Sequence, residues 1–304
     1  MATQVTRNFS QLAASSPSSS TLPQVRKLTF ADLGHALRAG LEDFKAVPSH
    51  AIMLCLIYPV VGLALARLVL GYAVLPLLFP LAAGFALIGP FAAVGLYELS
   101  SRHEQGLDVS VSHAFNVLRS PSFGAMLGLG TLLLALFVVW VATAEAIYIS
   151  YFGYAAAADI PDFARKVLTT PEGWSLIVVG CGVGFLFAVV ALCISVISFP
   201  MMLDRHSGVT DSMLTSLRVV RENPAVIAAW GLIVAALLVI GSLPAFIGLT
   251  VVVPVLGHAT WHLYRSAVES TGVAVHEQPP VKRPPRYAAE FPASLFSRSS
   301  EPHS

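Results

Sequence analysis

Long apolar runs alternate along this chain with short amphipathic stretches, and the lengths of the runs set the architecture. A helix needs about 20 residues to cross a hydrocarbon core about 30 Å thick, with roughly 17 as the lower limit. Six runs reach that length: residues 51–70, 73–99, 124–152, 174–203, 225–241 and 243–264. The second and the sixth contain prolines (Pro76, Pro80 and Pro90; Pro244 and Pro254). A membrane bundle tolerates such breaks because neighbouring helices take up the freed carbonyls. The pattern predicts an all-α membrane protein of six transmembrane helices.

Between the runs, apolar residues recur at helical spacing. Met213, Leu214, Leu217 and Val220 share one face, while Ser212, Thr215, Arg218, Arg221 and Glu222 share the other. Val111, Ala114, Phe115 and Leu118 repeat that face, and Phe30, Leu33, Leu37, Leu41 and Phe44 form an earlier version. Helix starts are expected at Thr29-x-x-Asp32, at Ser110, and at Thr210 or Asp211, where side-chain oxygens can cap free amides. Pro48, Pro121 and Pro224 should end each segment, since the residue before proline is pushed out of helical geometry.

These segments belong to an internal repeat. Arg102-His103-(x4)-Asp108-(x8)-Val117-(x3)-Pro121 returns as Arg205-His206-(x4)-Asp211-(x8)-Val220-(x3)-Pro224, at a constant shift of 103 residues. The frame continues into Ala125/Ala228, Gly128/Gly231 and Leu129/Leu232, and a weaker copy surrounds residues 41–48. The expected architecture is therefore three repeats, each an interfacial helix joined by a proline corner to a helical hairpin. Residues 1–28 and 269–304 are rich in Ser, Pro and charge and are expected to be disordered tails around a membrane domain at 29–268.

Composition agrees with the pattern. Hydrophobic residues make up 56% of the chain and charged residues 12%, with a mean hydropathy of +0.74, outside the usual soluble range. The lipid bilayer is the expected partner, with a homo-oligomer or another membrane protein as further partners. A net charge of +1 and the absence of a basic cluster argue against nucleic acid. The first 28 residues hold no apolar core of a secretory signal, so the first span is expected to direct insertion. Cys55, Cys181 and Cys193 lie inside expected spans without metal-ligand spacing and read as packing residues. In the six-span arrangement fifteen of the eighteen Lys and Arg fall on one side, leaving Arg67, Arg165 and Lys166 on the other. That bias puts both termini in the cytoplasm.

Ionisable groups near the membrane carry whatever chemistry the chain has. Glu98, Arg102, His103, Asp204, Arg205, His206, His258, His262 and Arg265 should ring the cytoplasmic mouth of the bundle. The ring has three readings: a headgroup-binding collar, a vestibule, or the polar rim that any membrane protein carries. His258 and His262, four apart on one helix face, could also offer two imidazoles to a metal or a haem, although no third ligand is evident. Glu145 falls near the outer interface beside Trp140, Tyr148 and Tyr151. No phosphate-binding loop, metalloprotease or nucleophile-elbow signature is present in a supporting setting, so no enzymatic activity and no cofactor are expected.

Several stretches resemble the family catalogued as domain of unknown function 2189. They are Phe85 to Ser100 (FALIGPFAAVGLYELS), Leu168 to Gly173 (LTTPEG), Ser198 to Arg205 (SFPMMLDR) and Pro254 to Arg265 (PVLGHATWHLYR). The resemblance implies a bacterial inner-membrane protein without an assigned activity and transfers no catalytic residue. The chain thus reads as a non-catalytic membrane scaffold that contacts lipid or a partner. The alternatives are a small-solute or ion transporter or channel, favoured by the repeats and the proline-broken helices, and a haem- or metal-binding redox protein.

Overall fold

A computed structural model describes residues 22–46, 93–154, 160–244 and 246–269, with scattered positions between 48 and 90. The first two expected spans lie for the most part outside these residues. The described helices are α1 (Phe30–Ala46), α2 (Val94–Glu104), α3 (Val111–Ala114), α4 (Phe123–Phe152), α5 (Ile160–Thr169), α6 (Pro171–Ser195), α7 (Ser198–Arg205), α8 (Val209–Glu222), α9 (Pro224–Ser242) and α10 (Leu249–Ala267). Among the described residues the sole β pairing is an isolated bridge between Val25 and Val268, so the described chain is all-α.

Three stretches are long and apolar enough to cross a membrane: Phe123–Phe152, Pro171–Arg205 and Pro224–Ser242. They expose large side chains, among them Leu127, Leu132, Leu134 and Val138 on α4, Val178, Phe185 and Leu186 on α6, and Leu232, Val239 and Ile240 on α9. Such surface would drive aggregation in water and is ordinary in lipid. Within lipid the helical state follows from the backbone, whose polar groups must be satisfied within the segment.

The helix ends follow local chemistry. Thr170 Oγ1 accepts from Gly173 N at 3.1 Å, with Pro171 at the first helical position and Glu172 in the first turn, a cap, a proline without an N–H to leave unpaired and a carboxylate facing the helix dipole. Gly153, at φ +68°, ends α4. Pro200 has no N–H to give the Val196 carbonyl, and the helical path bends at residues 196–197, between α6 and α7. Where the sixth span is expected, residues 243–248 turn where they are described, with Phe246 at φ +65°, and α10 runs from Leu249 to Ala267 without being one of the three stretches apolar enough to cross.

The expected amphipathic segments form, with two differences. The middle one is a short α3 capped by Ser110, followed by a 3₁₀ turn, Phe115–Arg119, in place of one helix. The third begins at Val209 with Gly208 at the cap, ahead of Thr210 and Asp211. The buried faces were not those of the largest apolar residues. In α8, Ser212, Thr215, Ser216 and Val219 are buried while Leu214 and Leu217 are exposed. Small residues permit close packing: Ser216 Oγ donates to the Cys193 carbonyl at 2.8 Å, and Ser198 Oγ donates to the Ser212 carbonyl at 3.1 Å.

Helix α10 is the hub. It packs against α1, α2, α7 and α9, and apart from the exposed Val251 its residues are buried or partly buried, Trp261 and Tyr264 almost completely. Helix α1 lies along it at Gly40, where an added Cβ would sit 2.5 Å from Ala259 N. Residues 22–28, which composition groups with the tail, form an extended strap across this end. Arg26 N donates to the Ala267 carbonyl at 2.8 Å, Glu269 N donates to the Gln24 carbonyl at 3.1 Å, and Leu28 N donates to Asn223 Oδ1 at 2.7 Å. A separate pair, α4 and α6, meets where Trp140 tilts over Phe187 with centroids 5.5 Å apart. At the far end of α4, Tyr148 reaches Phe163 of α5 with centroids 6.3 Å apart.

Gly40→Ala should destabilise the protein by roughly 1–3 kcal/mol, because backbone rather than a flexible side chain blocks the new methyl. Gly34→Ala, with no atom within 4 Å of the added Cβ, should instead raise stability by up to about 1 kcal/mol through helix propensity. Thermal unfolding of the two variants in one detergent checks the contrast.

Candidate functional site

Helical spacing assembles a polar site at the end of the molecule where α10 finishes. Helix α2 contributes Ser100, His103 and Glu104, at positions i, i+3 and i+4. Helix α10 contributes His258, Trp261, His262 and Arg265, at i, i+3, i+4 and i+7. Each set therefore lies along one face of its helix. Helix α1 contributes Asp43, in register with its buried stripe Leu33, Ala36 and Gly40. The close approach at Gly40 brings Asp43, one turn further on, to α10.

Asp43 is 6% exposed and is held by three direct donors. His103 Nδ1 donates to Oδ1 at 2.6 Å, Ser100 Oγ donates to Oδ2 at 2.7 Å, and His262 Nε2 donates to Oδ2 at 2.9 Å. Burial pushes the carboxyl pKa up, but the hydrogen bonds from His262, Ser100 and His103 together outweigh it and hold the group below the ordinary carboxylate value. The carboxylate is thus an acceptor only, which fixes the protons around it. Ser100 spends its one proton on Asp43, so His258 Nδ1, 2.7 Å from Ser100 Oγ, must carry a proton and donate it. His258 is fully buried, and its Nε2 is left with a bare lone pair and no hydrogen-bond partner among the described residues.

A second network begins one turn away. Glu104 accepts from Trp261 Nε1 at 2.9 Å and from Arg265 Nε at 3.0 Å. Arg265 Nη1 lies 3.5 Å from Asp204 Oδ2, to which Tyr264 OH donates at 2.5 Å. Arg205 Nε donates to Tyr264 OH at 3.1 Å, and its guanidinium also reaches the Glu269 carbonyl. The two networks join α1, α2, α7, α10 and Glu269, two residues beyond α10.

Of the nine residues expected at the inner mouth, six meet here: His103, Asp204, Arg205, His258, His262 and Arg265. The other three stand apart from both networks. Arg102 donates from Nε to the Asp108 carbonyl at 3.0 Å, and Glu98 is half-buried elsewhere on α2. His206 adopts a left-handed conformation at φ 51°, with Nδ1 3.5 Å from Ser122 Oγ. Asp43, Ser100, Glu104, Trp261 and Tyr264 escaped the sequence reading. The one available signal was a carboxylate in line with the small-residue stripe of α1.

The chemistry open to the first network is proton exchange, since it joins one carboxylate, one hydroxyl and three imidazoles. His258 Nδ1 and His262 Nε2 both turn toward Asp43 and Ser100. Among the described residues no group of three or more His, Cys, Asp or Glu side chains is placed to hold a metal ion.

Asp43→Asn should cost roughly 2–4 kcal/mol, because it removes an ionised acceptor from buried donors. A carboxylate whose folded-state pKa is depressed stabilises the fold at every pH above its unfolded value, about 3.9, and loses that contribution as pH falls through the lower folded value. Unfolding followed between about pH 3 and pH 6 should therefore show an acid-side loss of stability in the wild type that is smaller in Asp43→Asn.

No curated protein and no solved structure matches the chain. One family model matches, over residues 78–204, a segment that runs from before α2 to Asp204 in α7 and holds Ser100, His103, Glu104 and Pro200. Those residues match the family described as "Predicted integral membrane protein (DUF2189)", in keeping with the apolar spans of the fold.

Proposed function

We propose that the protein is a non-catalytic scaffold of the bacterial inner membrane: six spans in three repeats, both termini cytoplasmic, contacting lipid and a membrane partner. Support for the repeat comes from one feature that two copies share where they are described. In each, an amphipathic segment ends two residues before a proline corner, Pro121 or Pro224, and an apolar helix starts within two residues of that proline, α4 or α9. The third copy would join α1 through Pro48 to spans outside the described residues.

The observation that carries the scaffold reading is the internal pairing of the collar. Asp43, Glu104, Asp204 and Arg265 all bond to other parts of the same chain. A solute site would need such groups directed at a cavity. A transporter is the second reading, favoured by the internal repeat and by Pro254 inside α10. It would require solute or ion flux in proteoliposomes. The haem or metal reading retains only the bare His258 Nε2 in its favour, and bound metal or visible absorbance lost on His258→Ala would restore it.

Reporter fusions after Arg102, Arg205 and Arg265 should show cytoplasmic location, and one within residues 153–173 should show periplasmic location. Opposite signals at the same sites would reject the orientation, and a cytoplasmic signal at all four would reject the spans between them.

A further inference from the structure

The three amphipathic segments present one kind of surface outward. Phe30 and Leu41 on α1, Phe115 and Leu118 on the 3₁₀ turn, and Leu214 and Leu217 on α8 are all exposed, Phe30 at 63% and Leu118 at 58%. Each pair stands among exposed cations: Arg38 and Lys45 on α1, Arg119 on the 3₁₀ turn, Arg218 and Arg221 on α8. Among the carboxylates of the same three segments Glu42 is exposed, Asp32, Asp211 and Glu222 are partly buried, and Asp43 is buried. The segments lie at one end of the bundle. Ser122, at the head of α4, reaches His206 at the end of α7, and Asn223, at the head of α9, binds Leu28 and the Arg26 carbonyl just before α1. The strap adds exposed Arg26 and Lys27 at that corner.

Two features choose the occupant. Phe115 and Leu118, and Leu214 and Leu217, run directly into helices that are themselves exposed and apolar, at Leu127 on α4 and Leu232 on α9. The surface is therefore continuous with the lipid-facing sides of spans, which favours a bilayer over a soluble partner. With Arg26 and Lys27 of the strap, seven exposed cations stand against four carboxylates that reach solvent, and this net positive charge selects negative headgroups. We propose that this face binds anionic phospholipid in the leaflet at the basic end of the bundle, Phe and Leu entering below the phosphates and Arg and Lys lying among them. The inference rests on the membrane reading above and specifies the lipid.

The test uses the full-length protein reconstituted with equal phosphatidylglycerol and phosphatidylcholine, then extracted for mass spectrometry of the lipids it retains. Wild type should hold phosphatidylglycerol several-fold over phosphatidylcholine. The double variant Arg218→Gln/Arg221→Gln should lose most of that preference, each cation near the surface being worth up to about fivefold. Arg165→Gln, on α5 away from this face, should leave the preference unchanged. Equal retention of the two lipids by wild type, or a preference untouched by the double variant, would overturn the proposal. So would a dimer that dissociates in the double variant without a change in retained lipid, since a second copy would then own the face. If lipid preference holds while the reporter fusions reverse, the orientation fails and the lipid contact stands. If the fusions hold and the preference is absent, the lipid contact alone fails.

Discussion

A carboxylate removed from water keeps its charge only where donors replace the hydration it has lost, and Asp43 is the place where this fold meets that demand. Its three donors come from two helices, α2 and α10, while Asp43 itself belongs to a third. The carboxylate cannot be satisfied unless all three are in register. Close packing makes the register possible. Gly40 lets α1 approach Ala259, and Gly257 gives Leu96 of α2 room against α10, where an added Cβ would lie 2.6 Å from that side chain.

The arrangement divides labour between two kinds of helix. Helices α4, α6 and α9 are apolar around most of their circumference and leave many large side chains uncovered. Helix α10 is covered along most of its length beyond Val251 and carries the histidines, the tryptophan and the arginine that organise the polar end. Lipid solvates the first kind, and protein must solvate the second. Polar chemistry therefore collects around α10, near its C-terminal end, where backbone and side chains from α1, α2 and α7 converge.

The protonation pattern around Ser100 gives the site a direction. An ionised Asp43 draws the Ser100 proton, and Ser100 draws the His258 Nδ1 proton, so His258 Nε2 faces the interior as an acceptor. The half-exposed His103 touches the same carboxylate from the solvent side. Groups at the surface and in the interior are thus linked through one carboxylate and one hydroxyl, which explains why replacing Asp43 would disturb more than a single ion pair.

Sequence alone determined the class of the protein, because a bilayer demands apolar length and a helical backbone and both can be counted along the chain. It determined the Thr170-Pro171-Glu172 start of α6 and the corners at Pro121 and Pro224, where the cause lies within a few residues. It brought six of the nine collar residues into view through helical spacing and charge. Tertiary structure decided which side of each amphipathic segment is buried. Size of the apolar residues pointed to Leu214 and Leu217, whereas close packing selected Ser212, Thr215 and Ser216 and left the leucines outward. It also decided that Asp43, rather than the pairing of His258 with His262, is the centre of the site. That choice depends on how closely two helices more than 200 residues apart in the chain can approach, and no local pattern encodes such a distance.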